Sequence, residues 1–125
     1  MTMVLVADDS TSMRQMLAHT LRQGGYEVTL AADGAEALEQ LERQPADLVL
    51  TDCNMPRLDG LGLTRALRAD PRWRRVPVLV LTTEDDAATK QAGRAAGATG
   101  WLVKPFEPAR LLEVIGQVCA MGDTE

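Results

Sequence analysis

The sequence predicts an α/β fold, a doubly wound five-stranded parallel sheet in the order 2-1-3-4-5 with helices on both faces. Three observations carry that prediction. Short apolar runs alternate five times with longer stretches of helical period. Four of the five runs are apolar throughout, as strands covered on both faces must be, since half-exposed strands alternate with polar residues. The remaining run, Val28-Thr29-Leu30, is mixed and suits an edge strand, and the full order is taken by analogy with open sheets of this kind.

Val4-Leu5-Val6 is the first strand, and Met13, Met16, Leu17 and Leu21 fall on one stripe of the helix behind it. Gly24-Gly25 ends that helix. Glu27 to Leu30 reads as the second strand and Gly34 to Arg43 as the second helix, with Leu38 and Leu41 inward and Pro45 blocking its continuation. Leu48-Val49-Leu50 forms the third strand. Leu61 to Ala69 forms the third helix, stopped at Asp70-Pro71 because a residue before proline avoids helical backbone angles. Val78-Leu79-Val80-Leu81 is the fourth strand, Asp86 to Ala96 the fourth helix and Gly100 to Val103 the fifth strand. Pro108 suits the first turn of a last helix that turns Leu111, Leu112, Ile115 and Val118 inward, with the tail after Cys119 expected to fray. The Ala- and Gly-rich run from Ala92 to Ala98 weakens the fourth helix, each interior Gly costing about 1 kcal/mol against Ala.

At 125 residues the chain suits a single domain. Thirteen basic and eighteen acidic side chains give a net charge of −5, the wrong sign for counterion-driven binding to nucleic acid or to an anionic membrane. Protein partners are expected instead. No apolar stretch approaches the roughly 20 residues of a membrane span, and the start Met1-Thr2-Met3 lacks the basic n-region of a signal peptide. Cys53 and Cys119, far apart and without histidine company, are expected to remain thiols.

In a parallel sheet the strands end at one edge, and ligands bind there near the reversal of strand order. The residues at those ends are Asp8 and Asp9, then Asp52, then Thr82 and Thr83, then Lys104. Three crowded carboxylates repel, so either some hold protons at raised pKa or a cation neutralises them. A hard divalent ion fits best, and magnesium is usually held by one or two carboxylates together with phosphate oxygens. A carboxylate so placed can attack phosphorus and form an aspartyl phosphate, with Lys104 and Thr82 as donors. Asp52, alone on a central strand, is preferred as nucleophile over the adjoining pair Asp8 and Asp9, a choice that chemistry by itself leaves open.

Plainer roles are available for several of these residues. Asp9 or Ser10 could cap the first helix, and Thr83 is expected to cap the fourth rather than bind phosphate. Lys104 taken alone is an ordinary surface lysine. His19 has no second ligand in register and reads as a solvated or packed side chain. Arg72-Trp73-Arg74-Arg75 reads as a solvated loop with a partly packed Trp rather than a nucleic-acid patch.

Four motifs in order resemble the receiver domain of two-component response regulators, over almost the whole chain. They are Asp8-Asp9-Ser10, Asp52-Cys53-Asn54-Met55-Pro56 with Asp59-Gly60, Leu81-Thr82-Thr83-Glu84, and Gly100-Trp101-Leu102-Val103-Lys104-Pro105-Phe106. The resemblance implies a flavodoxin-like fold with Asp52 as phosphoacceptor. Asp8, Asp9, Asp52 and the backbone carbonyl of Asn54 would hold magnesium, and Lys104 and Thr82 would bind the phosphoryl group. Thr82 and Trp101 would form the switch, Trp101 standing where the family more often has Tyr or Phe. Asn54 and Glu84 are positions of possible influence on phosphoryl lifetime, Cys53 has no assigned role, and Lys104-Pro105 is implied to be cis.

The resemblance further implies a receiver domain over 1–121 with a short tail over 122–125, acting as a cytoplasmic monomer. It would be a signalling domain rather than an enzyme, though one that assists its own phosphorylation and dephosphorylation. Its expected partners are a histidine kinase of the chemotaxis type and a target such as a flagellar motor switch component. A phosphorelay intermediate, a pilus-motility regulator and a phosphate sink are the alternatives within the family. A magnesium-dependent phosphatase of the haloacid-dehalogenase type would want a second acid where Asn54 stands. In a flavin binder of the same fold, Asp8 and Asp9 would repel the phosphate. A degenerate receiver acting only as a scaffold is disfavoured by the full acidic pocket.

Overall fold

A computed structural model of the chain describes residues 2–83 and 87–123, with side chains through residue 120. The elements are β1 (Met3–Ala7), α1 (Thr11–Gln23), β2 (Glu27–Ala31), α2 (Gly34–Arg43), β3 (Leu48–Asp52), α3 (Gly60–Ala69), β4 (Val78–Thr82), α4 (Ala87–Ala96), β5 (Gly100–Val103) and α5 (Pro108–Asp123). The sheet runs β2-β1-β3-β4-β5 with every pair parallel, as the sequence predicts.

Alternation along the strands splits the core into two layers. Leu5, Val49, Val78 and Val80 face Ala37, Leu41, Leu63 and Leu67 of α2 and α3, and Trp101 packs at the border of this layer. Val4, Val6, Leu48, Leu50, Leu79 and Leu81 face Leu17 and Leu21 of α1 and Leu111 and Ile115 of α5. Strands that supply both layers must be apolar at every position, which is why four of them read as unbroken runs. The edge strand β2 is the more exposed one.

Side chains start three of the helices. Ser10 accepts from the Met13 amide at 3.3 Å, Asp33 from Glu36 at 2.8 Å and Asp59 from Gly62 at 2.7 Å. Ser10, not Asp9, is therefore the cap of α1.

Two expectations need correction. Met16 is 36% exposed, because the inward stripe of α1 centres on Leu17 and Leu21, and the preceding residue is turned about 100° away. Leu112, by contrast, is half-buried and packs against the core layer that holds Leu111 and Ile115, in keeping with its inward placement. Helix α5 continues to Asp123 rather than fraying after Cys119; Ala120, the strongest helix former, extends it. Thr83 is exposed after β4, and the residues between it and Ala87, on which its expected capping of α4 depends, lie outside the described ones. Asp86, expected to open α4, lies outside the described residues, as does the end of the 122–125 tail.

Candidate functional site

The acids converge because parallel strands end together. Asp8 leaves β1 with its amide still bonded to Ala31 O at 3.0 Å, and Asp52 is the last residue of β3. Carboxylate oxygens of Asp8, Asp9 and Asp52 all lie within 4.8 Å of one another. Asp8 is fully buried, Asp52 half-buried and Asp9 exposed, so the cluster opens to solvent on one side. Lys104 follows β5, its amide bonded to Thr82 O at 2.7 Å, and its Nζ reaches 3.2 Å from Asp52 Oδ1 and 3.5 Å from Asp8 Oδ2. The peptide bond after it, Lys104-Pro105, is cis.

Electrostatics at Asp52 are poised between opposing effects. Burial and the nearby charge of Asp8 push its carboxyl above the ordinary aspartate value, while Lys104 and the Cys53 amide, at 2.9 Å from Oδ1, pull the other way. Asp8 uses Oδ1 to accept from the Ser10 amide at 2.9 Å. Its Oδ2 is buried with no hydrogen-bond partner among the described residues, the Lys104 contact at 3.5 Å being a Coulombic approach only. An orphaned carboxylate oxygen facing two further acids is a place where a hard cation fits, and every available donor is oxygen.

The loop from Asp52 to α3 is held close. Gly60 donates to Cys53 O at 2.9 Å, and a Cβ at Gly60 would stand 2.2 Å from Asp52 O, so only glycine allows this approach. Asn54 lies exposed in this loop. Thr82 is buried at the end of β4, while Trp101 pairs in register with Val80 on the neighbouring strand. The two share a small apolar cavity with Cys53, Leu61 and Gly93. The Trp101 ring lies against Gly93 of α4, with the Arg94 guanidinium 5.7 Å from its centroid. Glu84 lies outside the described residues.

The remaining candidates are placed as ordinary surface features. His19 is exposed on α1. Arg72 pairs with Glu42 and Asp70, and Trp73 packs partly against the core, as expected of a solvated loop. Cys53 and Cys119 form no disulfide. Among the described residues no helix is long and apolar enough to cross a membrane.

Sequence reading missed two groups near the site. Arg14 of α1 donates to Asp8 O at 2.5 Å and to Thr11 Oγ1 at 3.2 Å, tying the acidic turn to the helix. Asp33 and Arg57 form a bidentate pair beside the β3–α3 loop. Asp33 could have been found from the pattern Asp33-x-x-Glu36 before an apolar stripe, which is a helix-start signature. Its partner, 24 residues on, leaves no such signal.

With this fold and this acidic edge, the chain belongs to the response regulator receiver domain family, whose pattern it matches over residues 4–116. It is 40% identical to chemotaxis protein CheY1 of Helicobacter pylori over 122 residues, covering 96% of this chain and 98% of that protein. The structure of chemotaxis protein CheY4 of Vibrio cholerae superposes with a TM-score of 0.91 at 47% identity, covering 94% of this chain and 98% of that one. The receiver domain of sensor histidine kinase PA1611 from Pseudomonas aeruginosa superposes at 0.87 with 35% identity, covering 95% and 98%; that structure has a magnesium ion coordinated in its active site cleft.

Proposed function

We propose that the chain is a single-domain response regulator in which Asp52 accepts a phosphoryl group from a histidine kinase of the chemotaxis type. Phosphorylation then changes its affinity for a target such as a flagellar motor switch component. The observation that carries this reading is the convergence of Asp8, Asp9 and Asp52 with Lys104, around a buried carboxylate oxygen that no hydrogen bond satisfies. Likeness to CheY1 and CheY4 over nearly their full lengths supports the chemotaxis role.

Asp8, Asp9, Asp52 and the main-chain carbonyl of Asn54 would hold magnesium. Bound there, the ion would supply positive charge to offset the clustered acids and the phosphoryl oxygens. An Asp52 carboxylate oxygen attacks the phosphorus of a phosphohistidine; the O–P bond forms as the P–N bond breaks, and the electron pair leaves with the imidazole. Lys104, already 3.2 Å from Asp52, and the Thr82 hydroxyl donate to the phosphoryl oxygens. The same groups assist the later hydrolysis of the acyl phosphate, whose lifetime Asn54 and Glu84 influence. As Thr82 turns toward the phosphoryl group, space opens for Trp101 to rotate inward, reshaping the face of α4, β5 and α5. The phosphoryl group selects between two existing arrangements by contacting one of them better. The receiver unit spans 1–121, with 122–125 a tail, and acts as a cytoplasmic monomer.

Acetyl phosphate with magnesium is the direct test. One acid-stable, base-labile phosphoryl group per chain is expected by intact mass, and Asp52→Asn should abolish it. A variant labelled as fully as wild type would refute the assignment. Transfer from a purified chemotaxis-type kinase in preference to other histidine kinases would support the pathway, and the reverse preference would remove it.

A further inference from the structure

Arg57 lies in the β3–α3 loop, three residues past Asn54. Among the described residues it is the one non-glycine residue with positive φ, at 65°. The Leu58 amide bonds to Pro56 O at 2.7 Å, closing a three-residue γ-turn about Arg57. Turns of that hand are rare, and such backbone strain costs on the order of 1–3 kcal/mol and persists only where the surroundings impose it.

Asp33 is what imposes it. Arg57 Nε is 2.7 Å from Asp33 Oδ2, and Nη2 is 3.1 Å from Oδ1, the planar fork-to-carboxylate arrangement that fixes direction as well as distance. The carboxylate is itself immobilised, being buried and capping α2 through the Glu36 amide. A second tie runs beside the first. The Gly34 amide donates to Leu58 O at 2.9 Å, and a Cβ at Gly34 would stand 2.5 Å from that oxygen. The far end of the loop is thus docked on α2 at two successive residues. Its near end is docked on the sheet, where the Cys53 amide bonds to Leu81 O at 2.8 Å. Asn54, Met55 and Pro56 span the short gap between these anchors.

We propose that Asp33 and Arg57 are positioning residues for the metal site, holding the loop so that the Asn54 carbonyl stands ready as a ligand; this rests on the reading of Asn54 as a ligand. Neither side chain touches the phosphoryl group or the ion. The strained turn is the part that a side chain must hold, and the energy to hold it comes from a helix outside the reacting centre.

The test is titration with magnesium alone, by calorimetry, on the full chain carrying Arg57→Gly or Asp33→Asn. Glycine accepts φ 65° without strain and asparagine still caps a helix, so both variants fold, Asp33→Asn with a Tm lowered by the part of its stabilisation that needs the carboxylate charge. The dissociation constant for magnesium is expected to weaken roughly tenfold, the lower end of what loss of an outer-shell partner does to a metal site. Labelling by acetyl phosphate should slow at low magnesium and recover at saturating magnesium. Arg57→Lys, with one donor nitrogen in place of the planar fork, should restore part of the affinity. Asp9→Ala serves as control. If it weakens magnesium binding while both pair variants match wild type, the positioning proposal is overturned and the metal reading stands. If Asp9→Ala has no effect either, the metal reading fails and the proposal with it. Affinity that falls only in proportion to lost Tm would make the pair merely structural, which also overturns the proposal.

Discussion

Helices α2 and α4 both follow strands of one sheet, yet over their described residues they meet the core in opposite ways. Helix α2 opens on a charged cap, buries Ala37 and Leu41, and is bonded to the β3–α3 loop through Asp33 and Gly34. Helix α4 buries only Gly93 and Ala96 among its described residues, and meets the core through the faces of small side chains and the Trp101 ring. Leu41 gives α2 a large buried side chain that α4 lacks among its described residues. Segments that move in a switch come from the low-stability end of a structure. Under the proposed function, α2 would be the wall that holds the reacting groups and α4 the wall that responds to them.

The largest expected effect breaks the fixed wall. Asp33→Ala removes a cap together with both bonds to Arg57, and should cost about 1–2 kcal/mol in urea unfolding, the upper half of the range for lost caps because this carboxylate is buried. The hydrogen bonds from Arg57, then the Glu36 amide, hold the Asp33 carboxyl below the ordinary aspartate value. A folded-state pKa below the unfolded one means the contribution is complete above the unfolded value and fades as pH falls through the folded one. Wild type and Asp33→Ala should thus differ by a constant amount above about pH 5, begin to converge near the unfolded aspartate pKa of about 4, and meet only below the lower folded-state value. A gap that persists unchanged to pH 2 would mean the charge of Asp33 contributes nothing.

Gly93→Ala goes the other way and makes α4 resemble α2. The new methyl would stand 3.7 Å from Trp101 Cε3 and 4.0 Å from Leu61 Cδ2, ordinary contact distances. Alanine should then stabilise the helix by up to about 1 kcal/mol. Hydrogen exchange of α4 amides should slow, and the change that beryllofluoride induces there should shrink. Faster exchange would show that the gap beside Trp101 cannot take a methyl group.

The contrast between the two walls also marks what could be read from sequence. The covering of both sheet faces and the edge place of β2 were legible because the other apolar runs are uninterrupted, as at Leu48-Val49-Leu50, whereas the full strand order came by analogy. The ends of β3 and β4 were placed one or two residues short, because Thr51, Asp52 and Thr82 are polar residues kept in strand by the sheet rather than by their own period. The acidic cluster was legible from the rule that parallel strands end at one edge. What stayed hidden depends on long-range geometry. Nothing local says that Arg57 takes a positive φ or finds Asp33 across 24 residues, and helical period alone could not tell Met16 from Leu17.

The smallest expected effect tests whether the adjustable wall is itself biased. The Arg94 guanidinium stands 5.7 Å from the Trp101 ring centroid, within cation–π range, and the same ring rests on Gly93. At an exposed site such a contact contributes about 0.5–1 kcal/mol, a two- to five-fold bias in a two-state population. Alanine keeps the helix at least as well as arginine, so Arg94→Ala removes the contact without weakening α4. In a Trp73→Phe background the remaining indole reports on Trp101 alone. Before phosphorylation, Arg94→Ala should raise acrylamide quenching, since the ring loses the group that holds it against the helix. With beryllofluoride the quenching should fall toward the wild-type value, because inward rotation takes the ring away from that side of α4. Arg94→Lys, which keeps a cation but as a compact, non-planar ammonium, should lie between the two. If all three proteins quench alike in both states, the guanidinium is a bystander, and the bias between the two ring positions must come from Gly93 and the cavity beneath it.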